Sequence, residues 1–311
     1  MVIYYLCTSN INKKQTMKNL LFLGIAILCL SCANKTNPQE TTEVNTNDQS
    51  VATFTVGACE IVTLSEGQFD GSTEILIGAS QEMLSQCAPA ETFPMATNAF
   101  LVRTPENVIL IDAGYGKKLF DNLLTCNVTP EQVNIILLTH LHGDHIGGLL
   151  RAGNVTFPNA ELYVSQAEND YWMNIEEGGE QARAVLEAYK DRLHLFTPAD
   201  IVSGGTNILP GFQAIAIPGH TPGHTAFLLE SDSQKIFIWG DLIHAMAIQM
   251  PYPEVAVTYD VDPELAVTTR KQVLDYIAKQ NIPVAGMHIP FHGIGRIVTE
   301  VEGSGYKFVV D

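Results

Sequence analysis

Three histidines and one carboxylate fall within six consecutive positions, His140-Leu141-His142-Gly143-Asp144-His145. Imidazole nitrogen and carboxylate oxygen together suit a borderline divalent ion such as zinc. Side chains this close along a chain reach one ion only where the backbone turns sharply, and Gly143 is expected to permit that turn. A polar loop rich in histidine by chance is the bland alternative. It is disfavoured because the whole chain holds nine histidines and three of them stand here.

The other residues able to do chemistry stand at similar places. Pro218-Gly219-His220-Thr221-Pro222-Gly223-His224 follows an apolar run, Gly240-Asp241 follows another, and Gly286-Met287-His288 closes a third. The elements needed to position them can be read from the pattern. Asn134 to Thr139 reads as a buried strand ending at His140, Phe212 to Ile217 as a strand ending before His220, and Val284 to Met287 as a strand ending before His288. Thr225 to Leu229 and Ile236 to Trp239 flank the turn Glu230-Ser231-Asp232-Ser233, a hairpin that ends at Asp241. An earlier hairpin, Ala99 to Asp112 around Pro105-Glu106-Asn107, ends at Asp112. Helices are expected over Lys117 to Cys126, after the Thr129-Pro130 cap, over Glu180 to Lys190, and from Asp262-Pro263 to about Lys279. Open α/β sheets place their sites in loops at the carboxyl ends of strands.

Composition excludes some classes. A formal charge of -17 opposes binding to nucleic acid or to acidic membranes, since a polyanion would be repelled. With 46% hydrophobic residues the 311-residue chain can bury a sizeable core. Near the start, Met17-Lys18-Asn19 precedes the apolar run Leu20 to Leu30, too short to span a bilayer, and then Ser31-Cys32. This resembles the lipobox of bacterial lipoproteins, although Cys29 stands where leucine is usual. A plain secretory signal is the alternative, and Met17 is a candidate start. Residues 1–32 are therefore expected to be a leader, 33–50 a polar tether and 51–311 the folded domain, exported and lipid-anchored in the periplasm or outer membrane. Cys59 and Cys87 could pair in an oxidising compartment, and sequence leaves that open.

Taken together, the H-x-H-x-D-H cluster, the P-G-H-T-P-G-H loop, Gly240-Asp241 and Gly286-Met287-His288 resemble the metallo-β-lactamase superfamily. Over residues 51–311 the resemblance implies an αββα four-layer sandwich of the α/β class. It implies that His140, His142 and His220 hold one divalent metal ion and that Asp144, His145 and His288 hold the second. Asp241 would bridge the two, and zinc is the expected ion. A mononuclear site is the alternative. Within the superfamily, Asn98-Ala99-Phe100-Leu101-Val102, Gly240-Asp241-Leu242-Ile243-His244 and His288-Ile289-Pro290-Phe291-His292-Gly293-Ile294-Gly295 are similar to the lactonase and methyl parathion hydrolase-like group. The implied activity is hydrolysis of a small lactone, ester or phosphotriester. Lactonases of the group carry a tyrosine where His244 stands, so His244 is the candidate donor to the substrate carbonyl. With Asp144 it makes up the expected catalytic pair.

The departure at His292, where the group usually has proline, leaves two histidines competing for the last ligand position, and His288 is preferred because it directly follows a strand. His224 and Asp112 are expected to orient ligands rather than bind metal, and His194 to be structural. Trp172, Phe93, Met246, Met250 and Phe291 are candidates either for an apolar pocket or for the core. The acidic stretch 168–191 reads as a solvated face; in this family such insertions also serve as lids or homodimer surfaces. Rival functions are a β-lactamase or thioester hydrolase of the same fold, an iron-dependent redox enzyme, and a metal-binding lipoprotein without activity. His142 stands where diiron members usually carry glutamate, which favours hydrolysis.

Overall fold

The structure, a computed structural model, describes residues 50–300 and 305–310 of the chain. The expected leader and, apart from Ser50, the tether lie outside the described residues. No helix among the described residues is long and apolar enough to cross a membrane.

Two seven-stranded sheets form the centre. The first runs Val51–Val56, Cys59–Ser72, Thr92–Arg103, Val108–Ile111, Ile135–Leu137, Glu161–Ser165, Leu193–Phe196. Its first four strands pair antiparallel and its last three add in parallel. The second runs Thr206–Leu209, Phe212–Ala216, Thr225–Ser231, Gln234–Ile238, Val284–Ala285, Ile294–Thr299, Tyr306–Val309.

Strict alternation sorts their side chains. Phe100, Val102, Ile109, Ile111, Ile135 and Leu137 of the first sheet meet Phe227, Leu229, Ile236 and Ile238 of the second. Their neighbours point the other way. Leu101, Leu110 and Ile136 pack with Leu119, Leu123, Val185 and Leu186 of two helices. Ala226, Leu228 and Phe237 pack with Val273, Leu274 and Ile277 of the helix Pro263–Gln280. Both faces of each sheet are covered, which is why the strands read as unbroken apolar runs. The result is the αββα four-layer sandwich.

Local differences from the sequence reading have local causes. The second hairpin is tighter than expected: its strands extend to Ser231 and Gln234, and Asp232 and Ser233 both take positive φ in a two-residue turn. The Thr129-Pro130 signal makes only one 3-10 turn, Pro130–Gln132. The strand before His140 is Ile135–Leu137, because Asp112 captures the Thr139 N–H at 2.8 Å and takes the chain out of the ladder. Cys59, Cys87 and Cys126 are all free thiols.

Candidate metal centre

Each ligand-type side chain leaves the carboxyl end of a strand or the loop behind it. Asp112, directly after Val108–Ile111, is fully buried with φ of 56°. Its Oδ1 accepts the Thr139 N–H, and its Oδ2 accepts the Thr139 hydroxyl at 2.7 Å and contacts His145 Nδ1 at 2.7 Å. One carboxylate thus fixes both the start of the motif loop and the ring of His145, leaving His145 Nε2 aimed inward.

The turn itself is a helical one, Gly143–Ile146, with His142 at its N-cap. Gly143 opens that turn without a positive φ. An added Cβ would lie 3.0 Å from Oε1 of Gln181, an exposed side chain that can move aside.

His220 lies in a loop pressed on the start of the helix Pro263–Gln280, where Gly219 has φ of 129° and a Cβ would meet Ala266 N at 2.3 Å. Asp260 Oδ1 contacts His220 Nδ1 at 2.9 Å, and buried Arg270 approaches the other Asp260 oxygen at 3.8 Å. His224 binds no metal group. Its Nδ1 donates to Ile217 O and its Nε2 accepts the Asp241 N–H at 3.0 Å, so it orients Asp241 as expected. His288 Nδ1 donates to Ala96 O at 2.8 Å. His292 is exposed and outside the cluster, whereas His288 lies within it.

These supports converge the inward atoms into two groups, His140, His142, His220 with Asp241, and Asp144, His145 with His288. Within each group the ligand atoms lie within 4.8 Å of one another. Asp241 sits between them: Oδ2 is 3.3 Å from His220 Nε2 and 3.0 Å from His288 Nε2, and Oδ1 is 3.1 Å from His145 Nε2. His244 Nε2 also lies 3.0 Å from Asp241 Oδ2, and His244 forms a third group with Asp241 and His288.

A metal pair fits this arrangement. His145 Nε2 and Asp241 Oδ1 face each other while buried and without a hydrogen bond, and His244 Nδ1 is likewise without one. Buried polar atoms seldom stay unpaired, and lone pairs converging on one point are what ligation needs. The metal-free electrostatics divide the rings: His145, His220 and His288 are raised, His140 and His142 lowered. Burial lowers His140 well below its ordinary range and, with the charge of His220, lowers His142 to about 3. Burial opposes ionisation of Asp241, but the charges of His145 and His288 hold it well below the usual carboxylate range.

The cluster floors a cavity of about 610 Å³, lined on the far side by Phe69, Ile75, Met95, Tyr115 and Tyr259. None of the five pocket candidates read from sequence lines it. Phe93 and Met250 are core, Met246 packs beside the core, and Phe291 binds Gln68 through its backbone N–H. Trp172 stacks edge-on against His142 and donates to Glu168. The acidic stretch is not wholly a solvated face either, since Glu168 is 1% exposed. His194 pairs with Glu161 at an exposed edge strand. Asp260 and Glu168 were missed because the neighbours that bury them are far away in sequence.

Comparison with known proteins agrees with this architecture. Residues 92–281 match the model of the metallo-beta-lactamase superfamily. An N-acyl homoserine lactonase of Bacillus sp is 25% identical over 222 residues, 63% of this chain and 82% of that protein. A crystal structure of the hydrolase AbOPH, of the beta lactamase superfamily, superposes with a TM-score of 0.76 at 29% identity, covering 84% of this chain and 97% of that one. AidC, a dizinc quorum-quenching lactonase, shares the fold with a TM-score of 0.74 at 24% identity, over 84% of this chain and 97% of its own. The chain belongs to the metallo-beta-lactamase superfamily.

Proposed function

We propose that this chain is an exported, lipid-anchored dinuclear zinc hydrolase that opens a neutral lactone. The observation that carries the reading is the pair of ligand groups meeting at Asp241 on the floor of an aromatic-walled cavity. His140, His142 and His220 would hold one ion and Asp144, His145 and His288 the other, with Asp241 shared between the two groups. When bound, the ions supply a nucleophilic water at neutral pH and polarise an ester-type carbonyl.

The chain's own residues do the rest. His244 lines the cavity beside Asp241, where its imidazole serves as donor to the substrate carbonyl. Asp144 is opposed in its ionisation by burial, yet the charges of His145 and His288 keep it ionised. Its place in the cavity lining, next to His145, lets it pass a proton to the leaving alkoxide. No lysine or arginine is among the cavity's lining residues, which suits an uncharged substrate. Phe69, Ile75 and Met95 give the cavity apolar surface for an acyl chain. The similarity to an N-acyl homoserine lactonase supports the choice of a lactone. Export rests on Met17 to Cys32, with its short apolar run before Ser31-Cys32.

A substrate panel tests the reading. The zinc-loaded chain is offered acyl-homoserine lactones, aryl esters, phosphotriesters and a cephalosporin, and kcat/KM is compared. The lactones are expected to lead by at least about tenfold, worth roughly 1.4 kcal/mol of transition-state preference. A phosphotriester or the cephalosporin in first place would contradict it.

A further inference from the structure

Glu168 is a buried carboxylate that touches neither cavity nor ligand nitrogen, and the chemistry above leaves it without a task. It stands in the first turn of the helix Gln166–Asn174 and is 1% exposed. All four of its partners are donors. Oε1 accepts the Leu141 N–H at 3.0 Å and the Trp172 indole N–H at 2.6 Å. Oε2 accepts the Thr221 hydroxyl at 2.7 Å and the Gly223 N–H at 3.1 Å.

The donors' positions matter. Leu141 stands between His140 and His142, and Thr221 directly follows His220. One carboxylate therefore ties together the two loops that carry the three histidines of a single ligand group. Gly223 lets the second loop lie flat on the helix start, since a Cβ there would come 2.1 Å from Glu168 N. Ser165, the N-cap of the same helix, adds a bond to Gly223 O at 2.8 Å. The other ligand group has supports of its own, Asp112 behind His145 and Ala96 O behind His288, with Asp112 also holding Thr139 next to His140.

We propose that Glu168 is the positioning residue for one of the two metal sites, holding His140, His142 and His220 in register while the other site stands independently of it. The inference rests on the two-metal reading. Four donors converging on one group call for an acceptor on both oxygens, which only a carboxylate offers. A glutamine must aim its NH2 at a pair of donors, leaving buried N–H or O–H groups unpaired although its shape is the same.

The test is a zinc titration of the chelator-stripped chain against a competing chelator, wild type beside Glu168→Gln, with the visible spectrum of the cobalt-loaded forms recorded in parallel. In Glu168→Gln one site is expected to weaken by about 10- to 100-fold while the other stays within about twofold. Its cobalt spectrum should resemble that of His140→Ala and differ from that of His288→Ala. General loosening of the fold would weaken both sites together, and that result overturns the proposal, as does unchanged affinity at both. Should Glu168→Gln fail to fold, Thr221→Val removes one donor alone and should weaken the same site by a smaller factor; no site-selective change there also overturns it. A wild-type chain taking up fewer than two zinc ions would refute the two-metal reading itself, a different failure from wild type and variant binding two alike.

Discussion

Replacing Asp241 with alanine is expected to empty both metal sites and to lower kcat/KM by at least about 1000-fold, roughly 4 kcal/mol of barrier. No other carboxylate in the cluster faces both ligand groups, with His145 on one oxygen and His220 and His288 on the other. Its removal takes away a shared ligand and also the one charge common to the rings of both groups. The three rings raised above the ordinary imidazole range, His145, His220 and His288, would lose the carboxylate that faces them, a costly change in a site that is 3% exposed at Asp241. Metal content per chain and turnover are measured on the same sample. Two ions and full activity in Asp241→Ala would show that the carboxylate does not join the sites.

Zinc affinity is expected to climb steeply with pH. Burial works against the charged form of His220, but hydrogen bonds to Asp241 and Asp260 prevail and raise the ring from 6.5 to about 9. His145 is likewise raised, with Asp241, Asp144 and Asp112 outweighing its burial. A folded-state value above the ordinary one means that the charged ring stabilises the metal-free fold fully below pH 6.5. That contribution fades as pH rises through about 9. Zinc binds neutral imidazole, so its affinity runs in the opposite sense and gains about tenfold per pH unit for each proton displaced. Competition titrations between pH 6.5 and 9 check this. Affinity that levels off just above the ordinary imidazole range would show rings unperturbed by these carboxylates.

The ligand cluster was legible in the sequence because ligation demands particular side chains at strand ends, and His140, Asp241 and His288 each follow an apolar run. The strands bearing them were legible for the same reason. Two kinds of residue were hidden. Glu168 sits in an acidic stretch, and three of its four donors come from 27 and from 53 to 55 residues away. Asp260 becomes the support of His220 only through a contact spanning 40 residues. The cavity wall was hidden differently. In a sheet covered on both faces, apolar character does not tell which side of a strand a residue occupies, so Phe93 went to the core. Phe69, at the far end of the long strand Cys59–Ser72, lines the cavity instead.

The central claim is a two-metal hydrolytic centre, and metal analysis of the purified chain, followed by zinc reconstitution of chelator-treated protein, tests it most directly. About two zinc ions per chain are expected, with lactone hydrolysis rising on reconstitution to a plateau at the second equivalent. A plateau at the first equivalent, or a single iron accompanied by oxygen consumption, would contradict it.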